Sequence, residues 1–466
     1  MRIRRHLATA IVAFFLGAAV VAQRGGQSTA IQTGQECPPG TTEVRPGNCQ
    51  APTLPPPSIV DYRPHSTLVT PAHPVAKAKY PAVDFHGHPG SRIMSAAALG
   101  EMVAALDKLN VRVMIAADNL SGERLQRAAQ TIAASPYKDR VRLFAGIDFR
   151  DVGPGWADKA VQQLEADVKA GAVGVGEISK SLGLSITKRD GTRLRIDDPD
   201  LDPVWNACAR LNLPVFIHTA DPQEFFEPID NHNERWLELA LFPGRRYPAD
   251  RFPRFEELMT ERDNLFKRHP RTKFVAAHMG WHANDLGRLG KLFDAMPNVS
   301  AELGAVLYDI GRQPRVAHDF FLNYQHRNLF GKDAFEPSEY PYYWRVLETA
   351  DDYFDYYRDY HAFWKLYGIN LPDPVLKKVY YENAMRLTPG LPQTGSQQER
   401  ALVEPGRASL RRQSTFRITG LRPRRAGLRR GGCRSGRRGG PSTRDRNARA
   451  TAARARGPCR QTAPIR

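Results

Sequence analysis

The sequence predicts an α/β fold, a (β/α)8 TIM barrel with long insertions after strands five and eight. Two patterns carry that expectation. Between residues 80 and 389, eight short runs rich in β-branched and apolar residues alternate with amphipathic stretches of helical period. Polar residues able to do chemistry then stand at the C-terminal ends of many of these runs, the edge on which such barrels react. A doubly wound open sheet also alternates strands and helices, but it does not naturally stop at eight pairs.

Residues 1–22 come first. Arg2, Arg4 and Arg5 precede a 16-residue apolar run over 7–22, and small residues at Val20 and Ala22 offer a cleavage site. This is the pattern of a secretory signal peptide, so the protein is expected to be exported, periplasmic or secreted. A retained anchor is the alternative reading. Residues 23–79 read as a Pro/Gly-rich linker and lead-in. Cys37 and Cys49 lie within it and either pair in an oxidising compartment or stay reduced. Five cysteines in 466 residues exclude a disulfide scaffold.

The barrel domain is expected over 80–392. Its strands are predicted at 82–86, 111–116, 141–147, 172–178, 214–218, 273–278, 299–303 and 328–330. Helices are predicted at 95–110, 122–135, 155–171, 200–211, 254–268, 284–296, 315–324 and 373–387. Two connections are long, 219–252 and 333–371, and long loops on a tight barrel usually serve function. Residues 336–368 hold twelve aromatics in 33 positions. Such a segment suits a lid over a pocket or a homodimer interface.

Residues 393–466 form an Arg-rich tail, expected to be disordered and possible only as a solvated segment. From 394 onward it holds 20 Arg, no Lys and three acids. It reads as readthrough or a frameshifted end, with an RNA-binding tail as the functional alternative. The count matters because the whole chain carries a formal +18. Residues 23–393 hold 44 Lys and Arg against 46 Asp and Glu, so the barrel is slightly acidic. No nucleic-acid partner is therefore expected. No apolar run long enough for a membrane span exists beyond the leader, which excludes a polytopic membrane protein.

Strand one ends in Asp84-Phe-His86-Gly-His88. Residues two apart on a strand point the same way, so His86 and His88 can aim at one metal. Strand five ends with His218, strand six with His278, and strand eight leads into Asp333. Imidazoles and a carboxylate on separate staves can converge on one cation. Glu177, which ends strand four, is an additional candidate ligand or substrate contact. Trp281 and His282 follow the strand-six histidine and are candidate substrate contacts. His232 and Arg235, in the strand-five insertion, are candidates for binding an anionic group, and Asp221 for orienting His218.

The stretches "VDFHGHPG", "LPVFIHTADP", "FVAAHMG", "LFGKDAF" and "VYYENAMRL" carry a resemblance. From residue 83 to 387 the chain resembles the amidohydrolase-related family of metal-dependent hydrolases, in the branch that includes aminocarboxymuconate-semialdehyde decarboxylase. The resemblance implies one divalent metal, foremost Zn2+, with Mn2+ or another transition metal as alternatives. It implies ligands His86, His88, His218 and Asp333, with His278 and Asp333 as catalytic residues. One position departs from the family: Lys332 stands where relatives more often carry Thr or Ser before the strand-eight Asp. The implied activity is hydrolysis of a C–N or ester/lactone bond in a small organic substrate. A non-oxidative decarboxylase of a small aromatic or muconate-like acid is the alternative. An inactive exported binding protein is the third.

Overall fold

The computed structural model describes residues 28–392, so the expected leader (1–22) and tail (393–466) lie outside the described residues. Eight parallel staves follow the predicted order: Ala82–His88, Val111–Leu120, Val141–Ala145, Ala172–Ile178, Pro214–Ile217, Lys273–Ala276, Val299–Glu302 and Asn328–Leu329. Each pairs with its sequence neighbour. Stave eight comes in two pieces. Asn328–Leu329 pairs with stave seven, and Asp333–Ala334 pairs with stave one in the register Asp333↔Gly87. Between the pieces, Phe85 N–H donates to Phe330 O at 3.0 Å. The ring of staves is thereby closed.

Helices lie between the staves where apolar spacing places them. In Ala96–Lys108 the buried residues are Leu99, Met102, Val103 and Leu106. That spacing makes one stripe turned to the barrel. Gly122–Ala133, Trp156–Lys169, Asp202–Arg210, Phe255–Arg268, Leu286–Ala295 and Pro314–Asn323 follow. The last predicted helix is α-helical over Asp373–Lys377 and Asn383–Leu387, with a wider π turn over Lys378–Glu382 between them. Inside the ring, Phe85 packs edge-on against Phe144 and Phe216, with ring centres 5.5 and 5.6 Å away. These three fully buried rings lie directly against the site, because Phe216 also meets the His86 ring edge-on at 4.6 Å.

Three expectations change. Staves five and six end at Ile217 and Ala276, so His218 and His278 stand just past the ladder instead of closing it. The 23–79 lead-in is more than a linker. It contains a small antiparallel sheet of Ser28–Ala30, Thr42–Arg45 and Asn48–Gln50, and Cys37 and Cys49 form a disulfide. Finally, much of the aromatic insertion serves the chain's own core. Its helix Tyr340–Glu348 buries Tyr340, Tyr343 and Trp344 completely, and Trp344 lies 4.5 Å from Phe330. The rest of that insertion forms a short hairpin, Phe354–Asp355 with Lys365–Leu366. Among the described residues no helix is long and apolar enough to cross a membrane.

Candidate metal centre

Every stave that ends in a candidate ligand delivers it to one point. A register shift on stave one between Asp84 and Gly87 accompanies the approach of His86 Nε2 to His88 Nε2, at 3.1 Å. Glu177, at the end of stave four, sits in the middle of the group. Its Oε1 lies 3.2 Å from His86 Nε2, 3.0 Å from His218 Nδ1 and 3.7 Å from His278 Nε2. Its Oε2 lies 3.5 Å from His88 Nε2. Asp333 Oδ1 approaches the same two stave-one nitrogens at 3.7 and 3.8 Å. The sequence offers Glu177 as an additional ligand or substrate contact; the geometry sets it among all four imidazoles.

The outward nitrogens are held by fixed acceptors, and that settles the tautomers. His86 Nδ1 lies 2.8 Å from Glu302 Oε2, and His278 Nδ1 lies 2.8 Å from the Gly304 carbonyl oxygen. Neither acceptor can donate, so each Nδ1 carries a proton, and with a cation at the centre each Nε2 would be the nitrogen turned toward it. Imidazoles whose distal N–H is tied to a carboxylate or carbonyl are suited to metal ligation.

The electrostatics agree. Burial alone would push His86, His88 and His218 down, yet nearby carboxylates overcome it. Glu302 and Glu177 hold His86 well above its ordinary range. Asp118 and Glu177 lift His88 to about 9, and Glu177 with Asp221 lifts His218 to about 9. Burial would raise Glu177, but His86 and His218 draw it well below the usual carboxylate range. The point is therefore strongly attractive to positive charge. His278 behaves oppositely: burial, then repulsion from His218 and His86, pushes it down to about 4. Three overlapping groups can hold a metal ion: His86, His88 and Glu177; His86, His278 and Glu302; Glu177, His218 and His278.

Glu302 is the residue that sequence reasoning missed. It ends stave seven, is fully buried, and receives the backbone N–H groups of His278 and Gly304 besides His86. A methyl group added at Gly304 or Gly331 would collide with Glu302 Oε1. The one available signal was the pair of glycines, in "AELG" and "LFGK", around a lone strand-end acid.

The stretch after stave six is equally specific. His278, Met279, Gly280 and Trp281 have φ of 55°, 52°, 61° and 53°, a left-handed turn. Such backbone costs an L-residue about 1–2 kcal/mol, so surrounding contacts must hold it. Fully buried Arg262 donates from Nη1 to the Gly280 carbonyl at 2.7 Å. Trp281 Nε1–H donates to the Ala220 carbonyl at 3.1 Å. The Trp281 ring then stacks on His278, with centres 4.6 Å apart.

Other candidates find different places. His282 does not join the cluster: its Nε2 faces Arg262 Nη2 at 3.1 Å, and so it braces the turn. Asp221 does approach His218, at 3.6 Å, and is itself held by Lys180 and the Tyr247 hydroxyl, each at 2.6 Å. Lys332 turns away from the centre, fully buried, and pairs with Glu339. Its backbone N–H donates to Asp84, whose second oxygen accepts from the Tyr340 hydroxyl at 2.6 Å. His232 is exposed, whereas Arg235 is buried.

Among solved structures, the chain resembles 2,6-dihydroxybenzoate decarboxylase complexed with 2,6-dihydroxybenzoate. The identity is 18%, over 66% of this chain and 99% of that one, with a TM-score of 0.41. It also resembles 5-carboxyvanillate decarboxylase from Novosphingobium aromaticivorans, solved with manganese. There the identity is 16%, over 67% of this chain and 98% of that one, with a TM-score of 0.39. No curated protein sequence matches. The amidohydrolase family model matches residues 83–389, from the first residues of stave one to the end of the last helix. The chain belongs to the amidohydrolase family.

Proposed function

We propose that the protein is a metal-dependent hydrolase acting on a C–N or ester/lactone bond of a small organic substrate. The observation that carries this reading is the convergence of four imidazoles and two carboxylates, with ligand atoms 3.0–3.8 Å apart. Imidazole nitrogens and carboxylate oxygens gathered this closely form a ready donor set for a divalent cation. His86, His88, His218 and Asp333 would hold it, with Glu177 as a further ligand. A bound Zn2+, Mn2+ or similar ion supplies Lewis acidity, polarising a carbonyl and rendering water acidic enough to ionise near neutral pH.

The chain's own groups supply the remainder. His278, whose Nε2 faces into the cluster at 3.3 Å from His218 Nδ1, would take a proton from water and return it to the leaving atom. Stacked Trp281 fixes the plane of that imidazole and keeps bulk water from its face. Asp333, less tightly packed than Glu177, is placed to orient the attacking water.

A second reading, non-oxidative decarboxylation of a small aromatic or muconate-like acid, uses the same cluster. Cationic Arg235 and Arg358 on the same end of the barrel favour an acidic substrate and so lend it support. Screening esters, lactones, amides and aromatic acids, with carbon dioxide release as the second readout, separates the two. Metal analysis of the full chain tests what both share. About one equivalent of a divalent ion is expected, falling severalfold in His86→Ala/His88→Ala. A content near zero, unchanged by those substitutions, refutes the proposal. Two equivalents would assign Glu177 a bridging position.

The leader-like N-terminus supports export, with which the Cys37–Cys49 disulfide is consistent. Exposed Trp236, Leu241 and Phe242 support a homodimer through the strand-five insertion. We propose no nucleic-acid partner.

A further inference from the structure

The connections after staves five and eight hold a second group of buried polar side chains with no assigned task. Arg235, in the strand-five insertion, keeps only 4% of its side chain exposed and pairs through Nη2 with Glu238 at 2.7 Å. Its Nε and Nη1 have no hydrogen-bond partner among the described residues. His361, in the strand-eight insertion, is fully buried, and neither ring nitrogen makes a hydrogen bond; its nearest carboxylate is Glu238 at 3.4 Å. Arg358, three residues earlier and half-buried, has no ion pair among the described residues and lies over the Tyr357 ring at 5.4 Å. Buried donors without acceptors are costly, about 1–3 kcal/mol each and more when charged. A native protein tolerates several of them together where something else completes them.

The charge balance says what completes them. Glu238 is shared between Arg235 and Arg245. The neighbouring Arg312 is already paired with Glu234 at 3.0 Å and Asp309 at 2.9 Å. Glu224, half-buried, also acts on the Arg235 charge, so the cation left without a carboxylate partner among the described residues is Arg358. The walls are flat and aromatic: the Arg235 guanidinium lies 4.4 Å from the Tyr308 ring centre and 5.6 Å from that of Trp364. The position is also right. These residues come from the connections after staves five, seven and eight, the ones that leave His218, Glu302 and Asp333. Ala305, next to the Gly304 carbonyl that holds His278, donates its N–H to the Tyr343 hydroxyl in that same insertion.

We propose that Arg235, Arg358 and His361 form an anion subsite that anchors a carboxylate carried on a small planar, aromatic or unsaturated substrate. This rests on the reading of the histidine cluster as the reactive centre. The anchored carboxylate is not the group transformed, because pairing with guanidinium stabilises the charged form and so opposes its loss as carbon dioxide. Under hydrolysis the substrate is an ester, lactone or amide with a free acid. Under decarboxylation it is a diacid, of which the other carboxyl leaves.

Titration calorimetry of the full chain with benzoate, benzamide and inorganic phosphate tests the subsite, in metal-loaded and chelator-treated protein. Benzoate is expected to bind at least about tenfold more tightly than benzamide in both forms, and also more tightly than phosphate. Arg358→Met should remove that preference and leave benzamide unchanged. Arg235→Lys, which keeps the charge that Glu238 needs, should weaken it partly. Equal affinity for benzoate and benzamide, or a preference untouched by Arg358→Met, overturns the proposal. Loss of benzoate binding on chelation also overturns it, by assigning the carboxylate to the metal. Tighter phosphate binding would replace the carboxylate with a phosphoryl ligand and overturn the substrate class. A preference that persists in protein with no metal at all would leave the subsite standing while the metal reading fails.

Discussion

At Glu302 one carboxylate serves three neighbours: the His86 ring N–H, the His278 backbone N–H and the Gly304 N–H. It thereby fixes the tautomer of one imidazole and the position of another. Glu302→Gln keeps the volume but removes the charge, and the affinity for a divalent ion should fall about 10–100-fold in competition with a chelator. An affinity equal to the parent's would mean that Glu302 is only a packing residue. Legibility at this scale follows from distance along the chain. His86 and His88 are readable because a strand forces residues two apart into one direction. His218, His278 and Asp333 are readable because they end strands. Glu302 also ends a strand, yet an isolated acid there looks like any solvated edge. Its meaning depends on Gly304 and Gly331, which leave room for it, and on a histidine 216 residues away. Arg235 was visible as a cation in a long insertion, but its burial was not.

Among the elements, the turn of His278–Trp281 departs furthest from what local sequence rules allow. Apolar periodicity predicts a strand running through His278, and nothing in "AAHMGW" announces four left-handed residues except Gly280. Tertiary contacts decide it. Arg262 reaches in from the helix Phe255–Arg268, where a basic residue would ordinarily be taken for a solvated face. Arg262→Met strands the Gly280 carbonyl and removes the partner of His282. Stability should fall by about 1–3 kcal/mol in denaturant titration, with turnover reduced further because His278 loses its fixed aim. A variant as stable and as active as the parent would show that the turn is held by Trp281 and Glu302 alone. The helices, by contrast, were legible nearly to their ends, since a stripe such as Leu99, Met102, Val103 and Leu106 has a single reading.

For the molecule as a whole, the lead-in segment is fastened to the strand-eight insertion at Asp351. That carboxylate, with a side chain only 1% exposed, accepts from the His73 backbone N–H and from Arg345 Nε, each at 2.7 Å. Burial would raise its pKa, but these donors hold it below the usual carboxylate range. A carboxyl depressed in the folded state stabilises the protein above its unfolded pKa, about 4, and ceases to do so as the pH falls through the lower folded value. Asp351→Ala should therefore lower Tm at pH 7, by the equivalent of about 1–3 kcal/mol. The gap from the parent should close progressively below pH of about 4. A gap independent of pH would assign the loss to packing alone. The insertions were legible as long loops but not as core, because aromatic richness does not say which side of a helix faces inward.

Stave eight carries one more consequence through its two pieces. The seam of the ring, where the last stave meets the first, runs through Phe330–Asp333 and Phe85–His88, and ligands for the cation sit on both banks. A cation held there acts as a latch on the barrel. It ties the two ends of a stretch of some 250 residues, and by mass action saturation at a hundredfold over Kd adds about 2.7 kcal/mol to the closed form. The full set of ligands comes together only when the ring is shut. Depletion of the ion should then be felt first as faster amide exchange along that seam, while the staves opposite keep their protection.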